Sequence, residues 1–379
     1  MKTKIRFFPG LSARNALAGC LLLCLAYSFC RGFYMPSMWS VNYWLPSFFD
    51  GFGRRALLGT LLYPFGDWRH HYHFVASIQI LTCTALIALI LAKLLMWQKN
   101  NTRGNFLVNV FLCGFFLSDF GAFFWSTTGY IDYALYLAIF LALLAPNSAA
   151  RILLSTSTIW MHEAAAFTCL PLYFAIECLY FRRAKTAFAT LAASLISFIV
   201  IFIFFKTPDP GVIENYKTGF LAHLNYRPRT DYFEQVFAKD STTFYFVAAS
   251  HYKYAMIDYA LFSLLLASML AWLLTRSASF SWQGSILAWA CSVSPLVLGF
   301  LAYDTNRWIF LTIVHISTLF ILFQRHMDTR DCLGFIAAAF AVFFSCRIPL
   351  IHNRYYRDIN EILPFLRDLG KIVASTPFR

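Results

Sequence analysis

The sequence predicts an all-α fold, a polytopic transmembrane helical bundle. Three observations carry this. The 379 residues are 59% hydrophobic and only 13% charged, where soluble domains carry about 25% charged residues. Mean hydropathy is +0.60. Apolar windows of about 20 residues recur along the chain, each long enough for a hydrocarbon core of about 30 Å. A β-barrel would instead show alternating segments of about 10 residues. No stretch reads as a separately folding soluble domain, so residues 1–379 form one integral membrane domain.

The 42 Phe, 20 Tyr and 10 Trp suit lipid-facing and interfacial positions. The net charge of +13 is spread over short loops and one tail. Membrane lipids and helix orientation account for it, and nucleic acid is not an expected partner. The 10 cysteines lie mostly inside apolar segments without metal-ligand spacing, and they read as small apolar fillers.

The basic residues Lys2, Lys4 and Arg6 precede an apolar run from Ala16 to Phe33 that lacks a small-residue cleavage site, so it reads as an uncleaved first span with the N-terminus cytoplasmic. Arg31 snorkels at its outer end. Residues 35–72 form an external loop whose apolar stretches 44–49 and 56–58 predict interfacial helices. The second span, 74–97, returns to a turn with Lys99 and Arg103. The third, 106–124, carries Asp119 near its outer end. The fourth starts near Asp132 and stops at Pro146-Asn147.

Residues 152–181 lie between Arg151 and the cluster Arg182-Arg183-Lys185. Basic residues at both ends favour a short helical hairpin with its tip at Trp160-Met161-His162-Glu163; one long tilted helix is the alternative. A span over 188–205 leads to a long external loop, 206–253, with turns at Pro208-Asp209-Pro210-Gly211 and Tyr226-Arg227-Pro228-Arg229. Spans at 254–274, 284–303, 308–324 and 333–346 precede an external tail, 347–379. The positive-inside rule then gives about 11 spans, with the C-terminus outside.

This topology places Asp50, Arg54, Arg55, Asp119, Asp132, His162, Glu163, Asp304 and Arg307 at external span ends or in external turns. Each alone reads equally well as an interfacial residue. Together they predict one charged, water-accessible pocket, because ionisable groups at membrane depth face a cavity or a partner. Arg54-Arg55 among Gly51, Gly53 and Gly59 suits a phosphate, which guanidinium forks bind bidentately. Arg307 reads either as a second clamp or as a structural partner of Asp304. His162-Glu163 suits an acceptor hydroxyl or a proton relay. A zinc-protease motif is excluded, since Ala166 stands where the second His of H-E-x-x-H belongs. His70, His71 and His73 beside Asp67 read as an interfacial cluster, and His315 as a packing residue. Neither a metal nor a cofactor is expected. No nucleotide-binding pattern is present, so a reaction here would draw its energy from an activated substrate such as a polyprenyl-phosphate-linked sugar.

The acid in the first external loop, the interfacial helices there and the span count resemble the GT-C class of polytopic glycosyltransferases. The stretches Phe49-Asp50-Gly51-Phe52-Gly53-Arg54-Arg55-Ala56-Leu57-Leu58-Gly59, His162-Glu163 and Asp304-Thr305-Asn306-Arg307-Trp308 also resemble O-antigen-polymerase-like membrane proteins of bacterial surface-polysaccharide clusters. The large extracytoplasmic domain of GT-C enzymes is absent, as is the paired acid of some members. The resemblance implies a multi-pass protein of the bacterial inner membrane, with N-terminus cytoplasmic and C-terminus periplasmic. It would act as a glycosyltransferase or glycan polymerase on a polyprenyl-phosphate-linked saccharide, alongside other envelope-glycan assembly proteins. Asp50 would be the general base, with His162 and Glu163 as the alternative. Arg54, Arg55 and Arg307 would hold phosphate, and Asp119, Asp132 and Asp304 would complete the substrate site. A lipid-linked glycan flippase or transporter and an envelope acyltransferase using His162 are the rival expectations.

Overall fold

The computed structural model describes residues 11–98, 102–205, 209–226, 241–277, 280–300, 304–350 and 356–375, all helical or connecting, with no strand among them. In chain order the α-helices are α1 (Leu11–Gly32), α2 (Met38–Asn42), α3 (Leu57–Leu62), α4 (Tyr72–Gln98), α5 (Thr102–Leu117), α6 (Asp119–Ser126), α7 (Asp132–Leu144) and α8 (Ser148–Met161). There follow α9 (Cys169–Ala175), α10 (Ala184–Phe204), α11 (Pro210–Thr218), α12 (Ser241–Arg276), α13 (Trp282–Val293), α14 (Thr305–Phe323), α15 (Thr329–Ser345) and α16 (Ile359–Ser375). Several long apolar helices mark a membrane protein.

Among the described residues, 5 helices are long and apolar enough to cross a membrane, or up to 6 if the bent pair α5–α6 is one span. The eleven expected spans are therefore not all seen. Apolar length alone does not register where a helix breaks. The expected span at 284–303 is the 12-residue α13 followed by a 3-10 turn, Ser294–Phe300. The expected straight span over 106–124 bends by 68° at Ser118, whose hydroxyl accepts from the Phe120 amide and starts a new helix at Asp119. The expected loop 206–253 is also shorter than supposed. It contains α11, and α12 is already helical from Ser241. Residues 206–208 and 227–240, which hold part of its expected turns, lie outside the described residues.

The stretch 152–181 is a hairpin. Ser148 and Ser155 of α8 lie 3.2 and 3.3 Å from Thr186 and Thr190 of α10, and the Trp160 ring is 6.2 Å from that of Phe205. Helices α8 and α10 thus run parallel, so the chain between them returns from a tip at His162-Glu163. At the far end of the hairpin the basic turns meet. Arg325 stacks over Tyr180 at 4.8 Å, Ser277 donates to the His326 carbonyl at 2.7 Å, and Arg276 approaches Asp331 at 3.9 Å. One end of the bundle therefore collects the basic connections, and the tip lies at the other.

Burial separates the axis of the bundle from its rim. Of the span through α14, 72% is buried, against 22% for α10. The exposed residues of α10 include Phe188, Leu191, Leu195, Ile199 and Phe202, one helical face suited to lipid. The axis is lined by Phe111, Phe320, Phe335 and Phe343, whose rings meet at 4.5 to 6.3 Å. His315 sits on α14, fully buried and satisfied by the Tyr136 hydroxyl at 2.6 Å and the Cys291 carbonyl at 2.9 Å. The described cysteines are all free thiols.

Gly32 ends α1 where it crosses α6 backbone to backbone; a Cβ there would lie 1.8 Å from the Ala122 carbonyl oxygen. At Gly19, more than three turns earlier on α1, nothing lies within 4 Å. Gly32→Val should therefore cost about 1–3 kcal/mol, read as a lowered unfolding temperature in detergent, while Gly19→Val should leave it unchanged. Equal behaviour of the two variants would contradict the close crossing.

Candidate functional site

The connection between α1 and α4 is folded as part of the core rather than laid loosely on a surface. Trp44 and Leu45, expected in an interfacial helix, are buried. Ser37 caps α2 by accepting from the Ser40 amide at 3.1 Å. From below, Tyr72 donates to the Pro36 carbonyl at 2.6 Å and Gln79 to the Ser40 carbonyl at 3.0 Å. These contacts pin Tyr43 at the end of α2, beside the hairpin tip.

The glycines around the arginines have structural duties. Gly51 takes φ +87° to cap a 3-10 turn over Phe48–Asp50. A Cβ on Gly59 would lie 2.1 Å from the Pro46 carbonyl oxygen. The glycine-flanked stretch expected to suit a phosphate is a packed turn. Arg55 itself is left-handed at φ 54°, a conformation costing about 1–2 kcal/mol for a residue with a side chain. Its guanidinium faces Glu163 across the hairpin tip. Nε lies 2.9 Å from both carboxylate oxygens and Nη2 2.5 Å from Oε1. Arg54 approaches the same carboxylate at 4.0 Å.

A second group forms where α7 and α14 begin. Arg307 donates to Asp132 from Nε at 2.5 Å and Nη2 at 2.9 Å, and to Asp304 from Nη1 at 3.3 Å. Its guanidinium also lies 5.2 Å from the Tyr130 ring and 4.6 Å from that of Trp308. The Arg307 and Asp132 side chains are only 3% and 8% exposed, whereas that of Asp304 is 33% exposed. The Asp304 partnership is present, but Asp132 takes the stronger, two-point contact.

Tyr43 and His162 join the two groups. The Tyr43 ring is 5.7 Å from His162 and 6.3 Å from Tyr130. Burial raises the Tyr43 pKa; the charges of Arg307 and Arg55 pull it down, so the phenol lies within the field of both. His162 Nδ1 accepts from the Ala164 amide at 3.0 Å and lies 3.8 Å from Glu163. A neutral His162 therefore carries its proton on Nε2. In that tautomer it offers a donor to a ligand, not the lone pair a proton acceptor needs.

The structure brings Arg54, Arg55, Glu163, His162, Asp132, Asp304 and Arg307 into one cluster. It holds Asp50 and Asp119 in ion pairs of their own. Asp50 is bound at both oxygens by Arg69, at 3.1 and 3.2 Å, with Arg69 stacked over Tyr63 and Phe220. Asp119 pairs with Arg31 at 2.9 Å, so Arg31 is a partner rather than a snorkelling end group. Sequence reasoning missed Tyr43 and Tyr130, two tyrosines among 20 with no local pattern to single them out. His70 lies 3.7 Å from Asp67, its pKa lowered first by burial and then by Arg69; His71 contacts Asn225 at 2.7 Å. Among the described residues no group of three or more His, Cys, Asp or Glu could hold a metal ion.

No family model, curated protein or solved structure matches the chain.

The cluster sets three arginines against three carboxylates inside an apolar bundle, where one partner left alone is far costlier than both removed. Asp132→Asn and Arg307→Gln should each destabilise by about 3–5 kcal/mol, and the double variant by clearly less than their sum. Additive losses in denaturation of the purified protein would contradict the pairing.

Proposed function

We propose that this chain is a membrane glycosyltransferase or glycan polymerase. It moves a sugar from a polyprenyl-phosphate-linked donor to an acceptor hydroxyl at the end of the bundle that holds the charged cluster. The observation behind this reading is the junction of the Arg55–Glu163 and Asp132–Arg307–Asp304 groups through Tyr43 and His162. Carboxylates and a histidine N–H suit sugar hydroxyls, aromatic faces suit a pyranose ring, and guanidinium groups suit the phosphate that leaves.

Geometry favours Asp304 over Asp50 for the general base. The Asp304 carboxylate meets Arg307 at a single oxygen, at 3.3 Å, and is the most exposed acid of the cluster, whereas Asp50 is held at both oxygens by Arg69. In the proposed step Asp304 takes the acceptor proton and the acceptor oxygen bonds to the anomeric carbon. The bond from that carbon to the phosphate oxygen breaks, and polyprenyl phosphate departs with its electron pair. Positioning and stabilisation of the leaving phosphate's charge supply the rest of the effect. A setting in the bacterial inner membrane, with about eleven crossings in which the shorter helices pair or locally thin the bilayer, belongs to the same proposal. So do a cytoplasmic N-terminus and a periplasmic C-terminus.

One observation favours a transporter as second reading. Polar groups are also buried away from this cluster: Glu177 lies 3.5 Å from Arg183 on a π-helical turn, and His315 binds Tyr136 within the bundle.

The deciding assay gives purified protein a polyprenyl-linked sugar and an acceptor and scores released lipid phosphate. Asp304→Asn should lower the rate by about 10²–10⁴-fold with the fold intact, while Asp50→Asn keeps most of it. A chain that releases no lipid phosphate yet moves lipid-linked glycan between leaflets would replace the enzyme reading with the transporter.

A further inference from the structure

A cavity of about 440 Å³ shares no lining residue with the charged cluster. It lies between the end of α1, the start of α6 and the segment that follows α15, and it is lined by Arg31, Asp119, Arg347, Ile348, Pro349 and Tyr356. Arg31 gives Asp119 a single hydrogen bond of 2.9 Å. Most of its five N–H donors are thus uncommitted to that carboxylate, unlike those of Arg55 or Arg307. Its guanidinium lies against two phenol rings, 5.6 Å from Tyr27 and 5.2 Å from Tyr356. Arg347 is exposed and makes no ion pair among the described residues. Two guanidinium groups thus face one carboxylate in a cleft walled by Ile348, Pro349 and an aromatic ring. That combination fits an anion carried on an apolar body.

The surroundings say which body. Arg357 ties the chain to the end of α1. Its amide donates to the Arg31 carbonyl at 3.1 Å, and its guanidinium donates to the Phe33 and Cys30 carbonyls at 2.7 and 3.2 Å. From that anchor α16 packs Phe365 against Phe29, with ring centroids 6.2 Å apart. Its Ile359, Leu363 and Leu366, spaced four and three residues apart, form an exposed apolar stripe. The Arg367 and Lys371 side chains are 78% and 81% exposed. An amphipathic helix with exposed cations, fixed to the end of the apolar helix α1, belongs in the plane of the interface. The cavity beside it is then at headgroup depth, where an anionic phosphate meets both the apolar and the cationic walls.

We propose that this cavity binds the phosphate of an anionic membrane lipid, held by Arg31 and Arg347, with α16 seated in the adjoining interface. The inference is independent of the transfer reaction proposed above. The test uses the full-length protein in a neutral detergent, with bound lipid counted by native mass spectrometry. The lipids are phosphatidylglycerol and phosphatidylcholine, and inorganic phosphate is titrated separately. Phosphatidylglycerol should be retained preferentially, and Arg347→Gln should weaken it about tenfold, the loss of one charged hydrogen-bonding partner. Arg347 is exposed, so its replacement does not endanger folding. Arg330→Gln, the same change at the opposite end of α15, should have no effect. Binding of inorganic phosphate with the same Arg347 dependence, but no preference between the lipids, would support the site with free phosphate as its ligand. Equal retention of both lipids without phosphate binding, or equal effects of the two arginine variants, would overturn it.

Discussion

A guanidinium inside an apolar bundle keeps its charge at any accessible pH and must be met by an acid. The contact on which this molecule depends is the one between Arg307 and Asp132. Arg307 stands in the first turn of α14, the most buried of the candidate spans, and Asp132 opens α7. Their two-point contact sets the register of those helices and places the Tyr130 turn beneath Tyr43. The Arg55–Glu163 contact performs the same task between the α1–α4 connection and the hairpin tip. Two long-range ion pairs thus assemble four chain segments at one end of the bundle.

Pairing changes how the arginines act on a ligand. Arg55 and Arg307 are each gripped by a carboxylate in the described state, so an incoming phosphate meets a charge-balanced wall and not a bare cationic clamp. Sugar hydroxyls can bind such a wall without displacing either ion pair. A phosphate must share a guanidinium with its acid, or take its charge from the leaving-group side as the bond to the sugar breaks. In the proposed transfer reaction that arrangement would favour charge that develops over charge already present.

Much of this was legible in the sequence. The Pro146-Asn147 turn and the convergence of His162-Glu163 with Arg55 followed from apolar lengths and basic loops, which favoured the hairpin between Arg151 and Arg182 over one long tilted helix. So did the satisfied burial of His315. What escaped was partner choice. Arg55 and Glu163 are 108 residues apart, Arg307 and Asp132 175, and Arg31 and Asp119 88. No local pattern states which acid meets which arginine. Asp50 and Asp119 were grouped with the others by side of the membrane, yet each had an arginine of its own. Helix breaks were equally hidden, because Ser118 looks like any small polar residue in an apolar run until its hydroxyl caps a new helix.

The central claim is that the α1–α4 connection and the hairpin tip meet across Tyr43 and His162. Paired cysteines test it most directly. With the 10 native cysteines replaced, Tyr43→Cys combined with His162→Cys should form a rapid intramolecular cross-link with a short thiol reagent. Tyr43→Cys combined with Arg183→Cys, at the other end of the bundle, should form none. Failure of the first pair in a folded protein, or equal reaction of both, would contradict the account.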